Sequence, residues 1–193
     1  MKRYLCAVPL VILICFSVAC QDKAAVAELA KYRAQAAVEE QNKALLNRMW
    51  EAWNRGDFEA WKQMHADEYA YYSPSNSTKP LSREETIEMG KVFFKGFPDA
   101  TTSIEGLITA GDTVITRWIL RGTHKGEFAG IPATGKIVVN SGIMITRIEN
   151  GKVVEDKEDY DSFGKKTQLG MELKPIEAKK KYELAYPGAP ACC

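Results

Sequence analysis

The apolar residues of this chain change their spacing near residue 100, and this change limits the folds available to it. Before that point they recur every three or four residues, as in Leu45, Leu46, Met49, Trp50 and Trp53. After it, apolar and polar residues alternate in segments 101–110, 113–123, 136–149 and 152–160. The first spacing predicts helices and the second predicts strands. Helices followed by consecutive strands predict an α+β fold, with a curved antiparallel sheet wrapped on three helices.

Boundaries of the predicted elements carry recognisable start and stop signals. Residues 22–54 contain neither Pro nor Gly and predict a long helix. Asp57 is expected to cap a short second helix, and Ser82 with Glu85 forms a capping box that opens a third. Gly111-Asp112 and Asn150-Gly151 are typical of tight hairpin turns. Between the second and third helices, EYAYYSP predicts a short aromatic strand.

Charge and cysteine usage exclude several classes of function. The 193 residues contain 26 Lys plus Arg and 25 Asp plus Glu, so the formal charge of +1 gives no basic surface for nucleic acid. The five Cys lie at 6, 15, 20, 192 and 193. Because residues 21–191 contain no Cys, a disulfide framework and a Cys-based zinc site are excluded in that part of the chain. The two His and the carboxylates show no ligand spacing. We expect no nucleic-acid partner, no metal and no cofactor.

The N-terminal segment predicts export. Lys2-Arg3 precedes sixteen uncharged residues, 4–19, which is short of the roughly 20 that span a bilayer but typical of a signal peptide. Ser17-Val18-Ala19-Cys20 resembles a bacterial lipobox, with Ser17 where Leu is usual. Cleavage before Cys20 followed by lipidation of its thiol predicts a membrane lipoprotein facing the periplasm or the cell exterior. Plain secretion and an uncleaved anchor remain alternatives.

We therefore divide the chain into four parts. Residues 1–19 are the predicted signal peptide, and residues 20–42 are the lipidated Cys20 with a helical spacer, because apolar periodicity there is weak. Residues 43–173 form the predicted domain. Residues 174–193 form a mixed-charge tail that ends in Cys192 and Cys193.

The predicted domain resembles the SnoaL-like polyketide cyclase family of the nuclear transport factor 2 superfold. The resemblance lies in Phe97-Pro98-Asp99, Gly122-Thr123-His124, Gly130-Ile131-Pro132, Thr134-Gly135 and Gln168-Leu169-Gly170. It implies a cone-shaped barrel with a pocket between sheet and helices, and it implies a homodimer formed through the outer face of the sheet. Because this superfold hosts both enzymes and binding proteins, the resemblance alone leaves the function open.

Alternation sorts the strand residues into faces. In one strand Val114, Thr116, Trp118, Leu120, Gly122 and His124 share a face, and Arg117 and Arg121 make the other face the solvated one. The next strand places on one face Val138, Asn140, Gly142, Met144, Thr146 and Ile148. The last strand places on one face Val154, Asp156, Glu158 and Tyr160. Alternation does not say which of these faces point together.

The resemblance implies catalytic positions on the last two strands. It places the acid/base carboxylate of the cyclases at Glu158 and their two imidazoles at Asp156 and Met144. Aldol closure needs a base beside a carbonyl and hydrogen-bond donors for the enolate. Met144 supplies no donor, and Asp156 would repel an enolate while tuning Glu158. The candidates for substrate binding are Tyr71, Ser73, Trp118, His124, Asn140, Met144 and Tyr160.

Structural interpretations stand beside these functional ones. The acidic residues from Glu155 to Asp161 could form a solvated edge strand. His124 fits a loop or rim position, and His65 fits a structural turn. The sequence thus predicts a domain that binds a small hydrophobic or carbonyl-bearing molecule, with cofactor-free acid/base chemistry of the aldol cyclase or isomerase type. The alternatives are a non-catalytic ligand-binding or dimerisation module of the cell envelope, or a packed scaffold without a cavity.

Overall fold

In a computed structural model, the described residues fold as four helices and one five-stranded sheet. The structure describes residues 7–76 and 78–172, with side chains from residue 23 onward. The helices are α1 (Ala7–Asn54), α2 (Phe58–Gln63), α3 (Arg83–Gly96) and α4 (Ser162–Leu169). The strands are β1 (His65–Tyr72), β2 (Thr101–Ala110), β3 (Thr113–Thr123), β4 (Ile137–Glu149) and β5 (Lys152–Tyr160). The predicted α+β class is confirmed, and α4 is an additional helix that the sequence analysis did not predict.

Local signals position the helix ends and the hairpins. The Asp57 carboxylate accepts a hydrogen bond from the Ala60 amide at the start of α2. Ser82 and Glu85 form a complete capping box at the start of α3. Asn150 and Gly151 both have positive φ, 50° and 72°, as the tight turn between β4 and β5 requires.

The sheet has the order β1-β5-β4-β3-β2 and is mixed. Strands β2 to β5 pair antiparallel, whereas β1 pairs parallel with β5. The prediction of a wholly antiparallel sheet is therefore corrected at β1. Parallel neighbours need a long connection rather than a hairpin, and the chain supplies one because α3 and three strands lie between β1 and β5.

A bulge in β5 changes the predicted inner face of that strand. Glu155 pairs with Arg147 but Val153 pairs with Ile148, so Val154 has no partner in the ladder. Val153 is fully buried and shares the inner face with Asp156, while Val154 is only partly buried. Strict alternation failed here because one extra residue reverses the side-chain direction on one side of the bulge.

Helix α1 has an exposed and a packed part. Side chains of residues 23–38 are exposed. Contact with the sheet begins at Glu39, which accepts a hydrogen bond from the Gly111 amide, and at Asn42, whose Nδ2 donates to the Gly111 carbonyl over 2.9 Å. Leu46, Met49 and Trp50 then pack into the core.

Several predicted features lie outside the described residues. These are residues 1–6, the side chain of Cys20, and the tail from residue 173 with Cys192 and Cys193. None of the described helices combines the length and the apolar character needed to cross a membrane.

Candidate active site

A cavity of about 430 Å³ opens between the concave face of the sheet and helices α1 and α3. Its volume falls in the range of small-molecule sites. Apolar walls are formed by Met49, Trp50, Trp53, Phe93, Trp118, Leu120 and Met144. Polar groups come from Tyr69, Tyr71, Asn140, Asp156, Glu158, Tyr160 and Lys165. The cavity therefore has the composition of a site for a largely apolar molecule with a few directed polar contacts.

Glu158 lies at the polar side of this cavity. It pairs with Met144 across β4 and β5, and its Oε2 accepts a hydrogen bond from the Tyr71 hydroxyl. Burial raises the pKa of Glu158 to about 7, with Tyr71 lowering it and Asp156 raising it to smaller extents. A carboxyl with this pKa exists in both ionisation states near neutral pH, as a general base requires.

Asp156 lies deeper than Glu158 on the same face of β5. It is 2% exposed, and its Oδ2 accepts a hydrogen bond from the Tyr69 hydroxyl over 2.8 Å. Its Oδ1 accepts a second hydrogen bond, from the Thr146 hydroxyl. Burial raises the pKa of Asp156 to about 6, and the two hydroxyl donors oppose that rise. Each oxygen of Asp156 is thus already held by the protein.

His65 lies behind Asp156 at the start of β1. Its Nδ1 is 2.7 Å from the Trp61 carbonyl, so this nitrogen carries the proton and donates. Its Nε2 lies 3.9 Å from Asp156 Oδ2. Burial lowers the pKa of His65 to about 3, so the ring is neutral near pH 7 and forms no ion pair with Asp156. His65 is the first residue of strand β1, where the sequence analysis expected a turn. Its buried imidazole packs on the Trp61 ring, with 3.5 Å between the ring centroids.

The β3–β4 register brings Trp118 and Asn140 to the cavity. Trp118 pairs with Gly142 in the neighbouring strand, and a Cβ on Gly142 would lie 2.4 Å from Trp118 Cζ2. Glycine at that position is what leaves room for the indole. Tyr71, Asn140, Met144 and Tyr160 also line the cavity, so five of the seven predicted substrate-binding side chains lie together with Glu158 and Asp156.

Ser73 and His124 are not among the residues that line the cavity. The Ser73 hydroxyl bonds to Asn76 Oδ1 over 2.6 Å and to Ser75 Oγ over 3.0 Å, and it is Ser75 that reaches the cavity. His124 is fully buried in a second cluster, stacked on Phe97 with its Nδ1 3.0 Å from Thr134 Oγ1. The rim position expected for His124 is corrected, because the loop that follows β3 folds back over the ring.

Lys165 and Phe128 are cavity residues that sequence reasoning missed. Lys165 belongs to α4, for which no helix was predicted, and Phe128 belongs to the loop between β3 and β4. Alternation within strands carries no information about side chains that reach the cavity from a loop or a terminal helix. Among the described residues, no three His, Cys, Asp or Glu side chains are grouped as a metal site requires.

Comparison with known proteins places this architecture in a family. The family model described as SnoaL-like polyketide cyclase matches residues 43–169. The aklanonic acid methyl ester cyclase DauD of Streptomyces sp. strain C5 is 27% identical over 128 residues, which cover 65% of this chain and 80% of that protein.

Solved structures agree with the fold. AclR, a putative hydroxylase from Streptomyces galilaeus, superposes with a TM-score of 0.63 at 28% identity, over 68% of this chain and 97% of that one. IdmH, a putative polyketide cyclase from Streptomyces antibioticus, superposes with a TM-score of 0.61 at 28% identity, over 67% and 98% of the two chains. The family match over the domain and these superpositions agree, and the chain belongs to the SnoaL-like polyketide cyclase family.

Proposed function

We propose that the cavity binds a small, largely apolar molecule that bears a carbonyl group, and that Glu158 removes a proton from the carbon beside that carbonyl. The observation that carries this proposal is the state of Glu158. Its carboxyl borders a 430 Å³ cavity, holds one hydrogen bond from Tyr71, and has a pKa of about 7. The similarity to an aklanonic acid methyl ester cyclase supports chemistry of the aldol cyclase or isomerase type.

The other polar and aromatic side chains of the cavity have separate roles in such a reaction. Tyr71 donates a hydrogen bond to Oε2 of Glu158 and thereby restrains the carboxyl at the cavity. The Asn140 amide and the Tyr160 hydroxyl lie at the cavity and can donate to a carbonyl oxygen. Trp50 and Trp118 supply flat apolar walls that would hold a ring system against the base. No step in this scheme calls for a cofactor.

Deuterium exchange into a simple ketone tests the proposal without the natural substrate. β-Tetralone has acidic protons beside its carbonyl, and NMR in deuterium oxide follows their replacement. We expect the wild-type protein to accelerate the exchange, with a rate that saturates as the ketone concentration rises. Glu158→Gln should lower that rate about 100-fold. Asp159→Asn is the matched control, because Asp159 is the exposed neighbour on β5. Equal rates for wild type and Glu158→Gln would contradict the proposal.

A non-catalytic binding and dimerisation module is the second candidate. It is favoured by the outer face of the sheet, where Ile115, Val139, Ile143 and Ile145 are 39–45% exposed and Ile115 pairs directly with Ile145. We propose that a second copy of the chain covers this face. Sedimentation of wild type and an Ile143→Lys, Ile145→Lys variant tests it: a dimer that becomes a monomer supports it, and a wild-type monomer contradicts it.

We also propose that the protein is exported and held at a bacterial membrane through Cys20. Support comes from Lys2-Arg3, the uncharged segment 4–19 and the lipobox-like residues before Cys20. Two acyl chains on one Cys give stable anchoring where one chain does not. Cys20→Ser should abolish labelling by a palmitate analogue and release the protein from membranes. Equal membrane retention of wild type and variant would contradict this assignment.

A further inference from the structure

Lys165 brings a primary amine to the cavity, and the scheme above leaves this amine without a role. The side chain extends from α4 and is partly buried. Its Nζ lies 4.8 Å from the centroid of the Tyr160 ring and 5.4 Å from that of Phe128. Within the part of the chain that the structure describes, the salt bridges do not include Lys165. The ammonium is therefore held by two ring faces, and its N–H donors remain available to a ligand.

Lys165 and Glu158 influence each other across the cavity without forming an ion pair. Lys165 lowers the pKa of Glu158, and Glu158 raises the pKa of Lys165, which burial lowers more strongly. Both side chains line the same cavity, and among the described residues they form no salt bridge with each other. A ligand bound in this cavity can therefore lie beside both the base and the cation.

We propose that Lys165 binds the ligand oxygen that becomes negatively charged when Glu158 accepts the proton. This inference rests on the proposed function and narrows its ligand class to apolar molecules with an enolisable ketone, whose enolate oxygen pairs with the ammonium. The C–H bond breaks and an O–H bond forms on Glu158. The C–H electron pair forms the new C=C bond, and the carbonyl π pair moves onto oxygen. Lys165 donates a hydrogen bond to that oxygen and keeps its own proton throughout.

Charge accounting supports this assignment. Before the step the cavity holds a Glu158 carboxylate and a Lys165 ammonium, and after it holds a neutral Glu158 and an oxyanion beside the same ammonium. Net charge in the cavity does not change, but the negative charge moves from Glu158 to the ligand oxygen, where a donor must stabilise it. Met144 has no donor and the oxygens of Asp156 are already occupied, so neither can stabilise the enolate. Lys165 supplies from α4 what those two strand positions lack.

A matched pair of probes separates recognition of charge from recognition of shape. β-Naphthoate carries an oxyanion, and methyl β-naphthyl ketone has the same ring system and a neutral carbonyl. Calorimetry at about pH 6, where Glu158 is mostly neutral, would measure both affinities in wild type, Lys165→Met and Lys165→Arg. Lys166→Met is the control, since Lys166 is the exposed neighbour on α4. The other ionisable groups facing the cavity are Tyr69, Tyr71, Asp156, Glu158 and Tyr160, and none of them is altered.

We expect Lys165→Met to weaken β-naphthoate binding about tenfold, with ketone binding changed by less than about twofold. Lys165→Arg should restore most of the loss, and Lys166→Met should resemble wild type. Unchanged β-naphthoate affinity in Lys165→Met, or an equal loss for both probes, would overturn the inference. If β-tetralone exchange still depended on Glu158, the proposed function would survive that result. Absence of binding of either probe to wild type would contradict both.

Discussion

Asp156 and Glu158 lie two residues apart on β5, and each accepts a hydrogen bond from a tyrosine of β1, yet their surroundings differ. Asp156 is enclosed, with one hydroxyl on each oxygen and the neutral His65 behind it. Glu158 has one hydroxyl donor, from Tyr71, and borders the cavity opposite Lys165. Burial raises the pKa of both carboxyls.

The difference between them lies in the hydrogen bonds that remain available. Each oxygen of Asp156 accepts a hydrogen bond, one from Tyr69 and one from Thr146, and these bonds join β1, β4 and β5. Glu158 accepts a hydroxyl hydrogen bond on Oε2, from Tyr71, and borders the cavity. A raised pKa therefore does not identify a base by itself. Both carboxyls line the cavity, and the hydrogen bonds that each one already accepts separate the structural carboxyl from the reactive one.

Removing the enclosed carboxyl should have the largest effect on stability. At about pH 5, where Asp156 is neutral in the folded protein, Asp156→Ala leaves the Tyr69 and Thr146 hydroxyls without acceptors. We expect a loss of about 3 kcal/mol in the free energy of unfolding, measured with urea. Asp159→Ala, at an exposed position on β5, should cost less than about 0.5 kcal/mol. Similar values for the two variants would show that Asp156 does not hold the strands together.

Removing the open carboxyl should change the pH dependence of stability instead. The folded pKa of Glu158, about 7, is above the ordinary Glu value of 4.5. The folded state thus binds more protons than the unfolded state between these values, and stability falls as pH rises through them. Glu158→Gln should lose its part of this fall and be about 2–3 kcal/mol more stable than wild type near pH 8. Thermal unfolding across this range measures it, and curves that superimpose would contradict a perturbed Glu158.

A substitution that crowds the Glu158 side of the cavity should have an intermediate effect. A Cβ on Gly142 would lie 2.4 Å from Trp118 Cζ2 and 2.6 Å from the Asp159 carbonyl oxygen. Gly142→Ala should displace the indole, destabilise the fold by about 2 kcal/mol and weaken ketone binding. Gly106→Ala on β2 has nothing within 4 Å of its added Cβ and serves as the control. Equal stability and binding in both variants would mean that Trp118 does not depend on Gly142.

The smallest expected effects come from removing single hydroxyl donors. Tyr71→Phe deletes the hydrogen bond that lowers the pKa of Glu158, so that pKa should rise by about 0.5–1 unit. Thr146→Val deletes a donor to Asp156 and should raise the pKa of Asp156 in the same way. NMR titration of each variant would show which carboxyl moves. Equal shifts of both carboxyls in both variants would mean that the two sites are not separate, because the charge of Asp156 has only a smaller influence on the pKa of Glu158.

The sequence predicted the fold well because the spacing of apolar residues and the turn motifs depend only on residues close together in the chain. The hairpin at Asn150-Gly151 and the capping box at Ser82 depend on a few adjacent residues, and both are present. The parallel pairing of β1 with β5 is a long-range contact that no local sequence pattern predicts. The bulge at Val154 was not predicted from the sequence either, because side chains alternate between the two faces of β5 on each side of it.

The candidate site was predictable only where strand residues form it. Alternation placed Trp118 on one face of β3 and Asn140 with Met144 on one face of β4, and the family resemblance pointed Met144 to the site. Lys165 was missed because it reaches the cavity from α4, and His124 was misplaced because a loop covers it. Side chains delivered by loops and terminal helices have no periodic pattern to reveal their direction.

Direct titration of the Glu158 carboxyl tests the central claim of this account. Carbon-13 NMR of the protein labelled at glutamate side-chain carboxyls, with Glu158→Gln to assign the signal, follows this one group as pH changes. We predict a titration midpoint of about 7 for Glu158, and a downward move of that midpoint when Glu158 loses its burial in an unfolded control. A midpoint near 4.5, the ordinary value for Glu, would contradict the assignment of Glu158 as the base of this cavity.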